Sequence, residues 1–290
     1  MQVKVETIRS QCSGFENIAE IAEKTDALLF DSVVLDFKPC TFFEANMAAA
    51  LYIVIARLRN RVNDVSIINV PDGIQTILRK NRFLCTFNIS ELPDTNQTTF
   101  PFKIFKLTAE EQFNDYLETY MNGRGIPEMS KELAKRFKQS LFELFINAAI
   151  HSESDSGIFL CGQFYPQLHR VDFTIADAGI GIPKKVQTYL GMKTMDSCDA
   201  IQWALTEGNT TKTGRQPGGL GLKLIKDFIQ INKGSLQIVS RFGYYEFSAG
   251  GEVYQKLDHD FPGTCINIEI NTNGMSRYFL KSELENEEIF

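Results

Sequence analysis

Hydrophobic positions fall into two regimes along the chain. Over the first hundred residues short apolar runs alternate with helical stripes. Leu28 to Phe37 and Val65 to Val70 read as buried strands, and Phe43 to Asn60 reads as an amphipathic helix carrying Met47, Leu51, Val54 and Leu58. Pro71 starts a short helix to Asn81, and Phe83 to Ile89 is strand-like again. This alternation predicts a small α/β layer domain over residues 1–100. Leu92 to Phe100, with PDTNQTTFP, reads as a linker, and Thr108 to Tyr120 as a helix, so residues 101–128 form a connecting strand and helix. From Ser130 to Ala149 neither Gly nor Pro interrupts Leu133, Phe137, Leu141, Leu144, Phe145 and Ala148 at helical spacing, and Ser130 with Glu132 supplies a cap and an acidic first turn. Gly157 to Tyr165 and Val171 to Ile175 then read as adjacent strands around a turn at Pro166 to Arg170. A helix begins near Gly219, and Ser235 to Arg241, Tyr244 to Phe247 and Thr264 to Ile270 supply three more strands. That order predicts an α+β sandwich over residues 129–272, followed by an acidic tail at 273–290.

Three polar clusters interrupt this pattern in the second regime. On the long helix Glu143 and Asn147 are four apart and share a face, with His151 one further turn on. A carboxylate beside an amide oxygen suits a hard cation, with Asn147 as metal ligand and Glu143 able to orient or deprotonate a water or hydroxyl. The same pair also suits an ordinary solvated helix face. Next, the run Val171 to Ile175 delivers Asp177 to a strand end before Gly179, Gly181 and Pro183. A carboxylate there can accept from an exocyclic amine such as that of adenine, and the glycines leave room for a flat base. The spacing is not that of a dinucleotide fingerprint, because no third glycine follows where it should. Finally Gly218, Gly219, Leu220, Gly221 and Leu222 run into a helical pattern. A glycine-rich helix start exposes backbone N–H groups that suit phosphate, with Lys223 in the first turn either adding charge or solvated. The ending of a P-loop is absent.

Taken in order, ELFINAAIH, DAGIGIP and GGLGLKLI resemble the N box and the two glycine boxes of the GHKL ATP-binding domain shared by DNA gyrase, a heat-shock chaperone, histidine kinases and the mismatch-repair protein MutL. The resemblance covers about residues 130 to 270 and implies a Bergerat-type α/β sandwich that binds ATP with Mg²⁺. It implies Glu143 as the catalytic carboxylate, Asn147 as the Mg²⁺ ligand, Asp177 on the adenine amine, and Gly179 and Gly181 shaping the base pocket. Gly218, Gly219, Leu220, Gly221 and Leu222 would lie along the phosphates. EGNTTKTGRQP resembles the ATP lid, with Thr210, Thr211 and Lys212 like the TTK that often precedes the second glycine box in histidine kinases. Gly263 and Thr264 open CINIEI, similar to the last strand of the family, where a threonine helps to hold adenine. The first hundred residues resemble a STAS domain in LFDSVVLDFKPCTFFEANMAAAL and SIINVPDGIQTILRKNRFLCTF. Where such antagonists of anti-sigma factors carry a phosphorylatable serine, this chain has Cys40, Thr41, Phe42 and Phe43, and Thr41 reads as a helix cap.

Composition narrows the setting. No segment is long and apolar enough to span a bilayer, and the N-terminus lacks a basic, apolar signal pattern, so a cytoplasmic protein without membrane contact is expected. Six scattered cysteines without a CxxC pair read as reduced packing residues, and His169 and His259 as surface residues in a turn and an acidic loop. A net charge of −6 argues against a nucleic-acid partner held by charge. No histidine precedes His151 to serve as a phosphoacceptor, which argues against a sensor autokinase, and only the acidic tail follows where a gyrase-like transducer would stand. An anti-sigma serine kinase, whose ATP domain works with a STAS partner, is the better analogue. The expected activity is ATP hydrolysis or transfer of the γ-phosphate to a serine or threonine in a signalling or stress response. The alternative is a non-catalytic, ATP-dependent switch read by a partner. A protein partner is expected at the STAS-like domain or the lid, and a homodimer is left open.

Overall fold

The computed structural model describes residues 1–209, 211, 220–273, 277–280 and 282–283. The first regime gives β1 (Gln2–Lys4), α1 (Cys12–Thr25), β2 (Ser32–Asp36), α2 (Ala48–Asn60), β3 (Asp64–Ile68) and α3 (Asp72–Lys80). Its strands form a parallel three-stranded sheet in the order β1-β2-β3. The second gives β4 (Thr99–Phe105), α4 (Glu110–Tyr120), α5 (Lys131–His151), β5 (Ile158–Tyr165), β6 (Arg170–Asp177), α6 (Ile182–Leu190), α7 (Ser197–Leu205), α8 (Leu220–Asn232), β7 (Ser235–Ser248) and β8 (Gly251–Asn271). These strands make an antiparallel sheet in the order β4-β5-β6-β8-β7. The expected cap of α5 is present, with the Ser130 side chain accepting from the Leu133 N–H.

Period-two alternation turns both faces of this sheet into core. Val171, Phe173 and Ile175 of β6, with Ile266, Ile268 and Ile270 of β8, point to the side carrying α4, α5 and α8. Phe159 and Cys161 of β5, Ala176 of β6 and Cys265 of β8 point the other way, into a cluster shared with α1, α2 and the three-stranded sheet. The molecule is therefore layered as sheet, helices, sheet, helices. The position of α2 between two sheets explains why Ala48 to Ala56 are all buried. A helix hydrophobic all round belongs inside a protein, and the amphipathic helix expected from Phe43 to Asn60 is replaced by this buried one after a 3₁₀ turn at Ala45–Met47.

Other boundaries also differ. The expected linker ends early, because Thr99 and Phe100 already pair with Gln163 and Gly162. The expected strand from Phe83 is a 3₁₀ turn at Phe83–Phe87: the Asn81 side chain accepts from the Phe83 N–H at 3.0 Å and Arg82 has φ 68°, which swings the Phe83 ring against Tyr52 and Phe102. β7 runs continuously through the two strands expected in its place, with a bulge between them. β8 starts at Gly251, so His259 lies in a strand rather than a loop. Its backbone N–H donates to Glu16 of α1 at 3.0 Å and its ring nitrogen meets the same carboxylate, which raises its pKa. Thr41 is not a cap; its hydroxyl lies 2.7 Å from that of Thr7.

The layer contact between α2 and the five-stranded sheet is partly polar. The fully buried Asn46 amide donates towards Ser10 Oγ at 2.8 Å, Asn267 Oδ1 at 3.0 Å and Thr174 Oγ1 at 3.1 Å. Arg170 collects three carboxylates: Glu44 from the N-terminal unit, Asp172 at 3.1 Å and Glu269 at 3.0 Å. Burial pushes Asp172 well above the ordinary carboxylate range, against the pull of Arg170. Such groups are tolerated inside only when paired. Asn46→Ala removes the donor shared by Ser10, Thr174 and Asn267 and is expected to cost about 2 kcal/mol. Urea unfolding should show this as a lower midpoint, and an unchanged midpoint would mean the amide contributes nothing to holding the layers.

Candidate functional site

The end of β6 places Asp177 opposite Thr264 of β8 and Ile158 of β5, in the middle of the sheet. Its side chain is 5% exposed, and burial raises its pKa to about 7, partly opposed by the Gly179 N–H, which donates to Asp177 Oδ1 at 2.9 Å. The carboxyl thus combines a polar acceptor with a dry surrounding, where a complementary donor counts for most.

The loop after Asp177 is held from two sides. At the end of α5 the Ser152 carbonyl accepts from the Ile180 N–H at 2.8 Å, and a Cβ on Gly179 would fall 1.9 Å from that oxygen. Gly179 is therefore needed for close packing on α5. On the other side Ser240 of β7 acts as a hub: its Oγ accepts from the Ile182 N–H at 2.9 Å, donates to the Gly263 carbonyl at 2.9 Å and lies 3.1 Å from Thr264 Oγ1. Gly181 has φ 81°, and a Cβ there would sit 2.8 Å from Ser240 Oγ.

These elements wall a cavity of about 170 Å³. Ile175, Ile238 and Ile266 form its sheet-side floor, and Leu144, Asn147, Ala148 and His151 of α5 one wall. Ile182, Lys185 and Val186 of α6 and Ile201 and Trp203 of α7 form the other. Asp177, Gly181, Thr211, Leu222 and Thr264 also line it, so the structure brings six of the expected residues, with Asn147, around one space. The Thr211 hydroxyl lies 3.4 Å from His151 Nδ1. Glu143, half-buried one turn before Asn147, is not part of the lining. Lys223 is exposed and pairs with Glu207 at 3.0 Å outside the cavity. Leu220 and Gly221 open α8, while Thr210, Lys212, Gly218 and Gly219 lie outside the described residues.

Three contributors escaped the sequence reading. Ser240 and Ser152 look like ordinary polar positions, and only the fold shows that they clamp the loop from opposite sides. Trp203 carried no motif, although a lone tryptophan in a short helix beside a glycine-rich region is a weak signal. Among the described residues no group of three or more His, Cys, Asp or Glu could hold a metal by itself, and no helix is long and apolar enough to cross a membrane.

Residues 132–274 match the family of histidine kinase-, DNA gyrase B- and HSP90-like ATPases, and this stretch is a domain of the GHKL type. The chain is also similar to the circadian input-output histidine kinase CikA of Synechococcus elongatus, 25% identical over 209 residues that make up 71% of this chain and 24% of that protein. The chain spans about a quarter of that relative's length.

The raised Asp177 pKa gives a directional test. The folded protein keeps this proton up to about pH 7, whereas an unfolded chain releases it near the ordinary value of 3.8. Between these values the folded state binds more protons, so the contribution of Asp177 to stability falls as pH rises, by up to about 4 kcal/mol. Asp177→Asn should therefore gain thermal stability relative to wild type from pH 5 to pH 8, and parallel melting curves across that range would refute the assignment.

Proposed function

We propose that this chain, through its ATPase domain, binds ATP with Mg²⁺ and either hydrolyses it or transfers its γ-phosphate in a signalling or stress response. The observation carrying this reading is the shared cavity: a desolvated acceptor, Asp177, at its floor beside Thr264, and the Asn147 amide on the opposite wall. Asp177 accepts from the adenine amine, and Thr264, held by Ser240, supports the same edge of the base. Apolar side chains of the floor cover the ring faces, as a ligand pocket with few placed polar groups requires. Gly179 and Gly181 keep the loop tight enough for the base to enter.

Asn147 supplies one oxygen for the cation, and the remaining ligands come from phosphates and water, which agrees with the lack of a carboxylate cluster among the described residues. Once bound, Mg²⁺ would neutralise charge on the phosphate oxygens. The opening of α8 at Leu220 and Gly221, with Leu222 on the cavity wall, suits the phosphate end. Gly218, Gly219, Thr210 and Lys212, which lie outside the described residues, are assigned to the phosphates with Thr211 on the family resemblance alone. Glu143 orients or deprotonates the attacking water or acceptor hydroxyl. The STAS-like N-terminal unit, packed on the far face of the sheet, is the regulatory part and, with the lid, the place for a protein partner.

A second reading is favoured by one observation: Glu143 lies off the cavity lining, so the domain would bind ATP as a conformational switch without turnover. Asn147→Ala is expected to abolish Mg²⁺-dependent binding, and Asp177→Asn to weaken ATP roughly tenfold or more at pH 8, where Asp177 is ionised, in line with the loss of a charge-assisted hydrogen bond of about 1.5–3 kcal/mol. Unchanged affinity in both variants would remove the site. Incubation with γ-labelled ATP separates the activities: free phosphate marks hydrolysis, label on protein marks a kinase, and saturable binding with neither marks the switch.

A further inference from the structure

The pairing of β7 with β8 shifts register on both sides of Arg241, and Arg241 itself has φ 54°. A left-handed conformation is strained at a non-glycine residue, and a bulge beside a site commonly serves to re-aim a side chain. Here the bulge follows directly on Ser240, the hub of the base loop. It aims Arg241 at two targets. Its Cγ and Cδ pack against Gly181, each 3.0 Å from where a Cβ on that glycine would lie. Its guanidinium forms an ion pair with Asp260 of β8.

Asp260 faces the N-terminal unit as well. Burial raises its pKa, Arg241 and Arg57 lower it, and its Oδ1 is buried without a hydrogen-bond partner among the described residues. Arg57, on α2, is held by Asp26 at the end of α1 at 3.4 Å, and Asp26 also takes Arg61 at 3.2 Å. Arg57 in turn feels the charges of Arg241 and Asp260. Arg241 and Asp260 thus stand beside Gly181 within the field of the Asp26–Arg57 pair of α1 and α2, and α1 meets β8 at the neighbouring residue, where Glu16 accepts from the His259 N–H at 3.0 Å. None of Asp26, Arg57, Asp260 and Arg241 lines the nucleotide cavity. A second contact is apolar: Ala178, next to Asp177, packs on the core shared with the N-terminal unit.

We propose that Arg241 is a positioning residue that fixes the Gly181 turn of the base loop and makes nucleotide affinity depend on the placement of α1 and α2. The proposal rests on the ATP reading for its effect on affinity, but its hold on the loop can be measured without nucleotide. The stem of Arg241 supplies the packing and its charge supplies the link to the N-terminal unit, so the two parts separate by substitution.

The test combines amide exchange of the nucleotide-free protein with equilibrium dialysis of Mg·ATP. Arg241→Ala is expected to speed exchange of the Ile180 and Ile182 amides and to raise the Kd for ATP about tenfold. Arg241→Lys, which keeps a stem over Gly181 and a positive charge, should restore both to within about threefold. Arg57→Ala, on α2 and away from the cavity, should raise the Kd several-fold, and Asp260→Asn should do the same if Arg241→Ala does not fold. Wild-type exchange in Arg241→Ala, or a wild-type Kd in Arg57→Ala and Asp260→Asn, overturns the proposal. Failure of the wild-type protein to bind ATP overturns the ATP reading instead, and the exchange of the loop still decides whether Arg241 holds it.

Discussion

Burial of the five-stranded sheet on both faces is the constraint from which the remaining features follow. A sheet with one wet face could leave Thr174, Asn267 and Gln237 to water, whereas here each is buried on the face that meets the N-terminal unit. Their hydrogen bonds must therefore be found inside. The run from Asn46 through Thr174 and Asn267 to Gln237, with distances between 2.7 and 3.1 Å, is the result. Asp177, at the end of β6, is buried as well, and that burial raises its pKa.

One side of the cavity is tied down closely by hydrogen bonds. Asp177, Thr264 and the loop to Ile182 are tied by Ser152 and Ser240 through short hydrogen bonds, with glycines only where a Cβ would strike backbone or the hub hydroxyl. This side resembles the preorganised donor and acceptor arrays that give specificity without rearrangement. On the side of α5 and α7, His151 and Thr211 meet at 3.4 Å, and Asn209 reaches the Trp203 carbonyl at 2.9 Å at the end of α7.

Much of this was readable from residue order, and the exceptions share a cause. The long helix with its Ser130 cap, the strand delivering Asp177 and the glycine-opened α8 all follow from local periodicity and capping. The family match over residues 132–274 rests on the same stretch. What periodicity could not show was the second layer contact. Ala48 to Ala56 are apolar on every side because sheets lie on both sides, a fact absent from any local window. Phe83 lies in a 3₁₀ turn because Asn81 captures its N–H, and His259 lies within the long strand β8, where Glu16, far away in the chain, accepts from its backbone N–H. Ser240 was invisible for the same reason: its three partners come from two other segments.

The shared core beneath the sheet has a bearing on how such a chain could be assembled from parts. Phe159, Cys161, Leu257 and Phe261 belong to the ATPase half yet complete the core of the N-terminal half. A recombination event that delivered either half alone would leave a broad apolar face in water. A foreign N-terminal unit would also have to bring counterparts of Glu44 and Asn46 to meet Arg170 and Asn267. The two halves therefore fit as a matched pair, and side chains of β5, β6 and β8 on that face pack against α1 and α2.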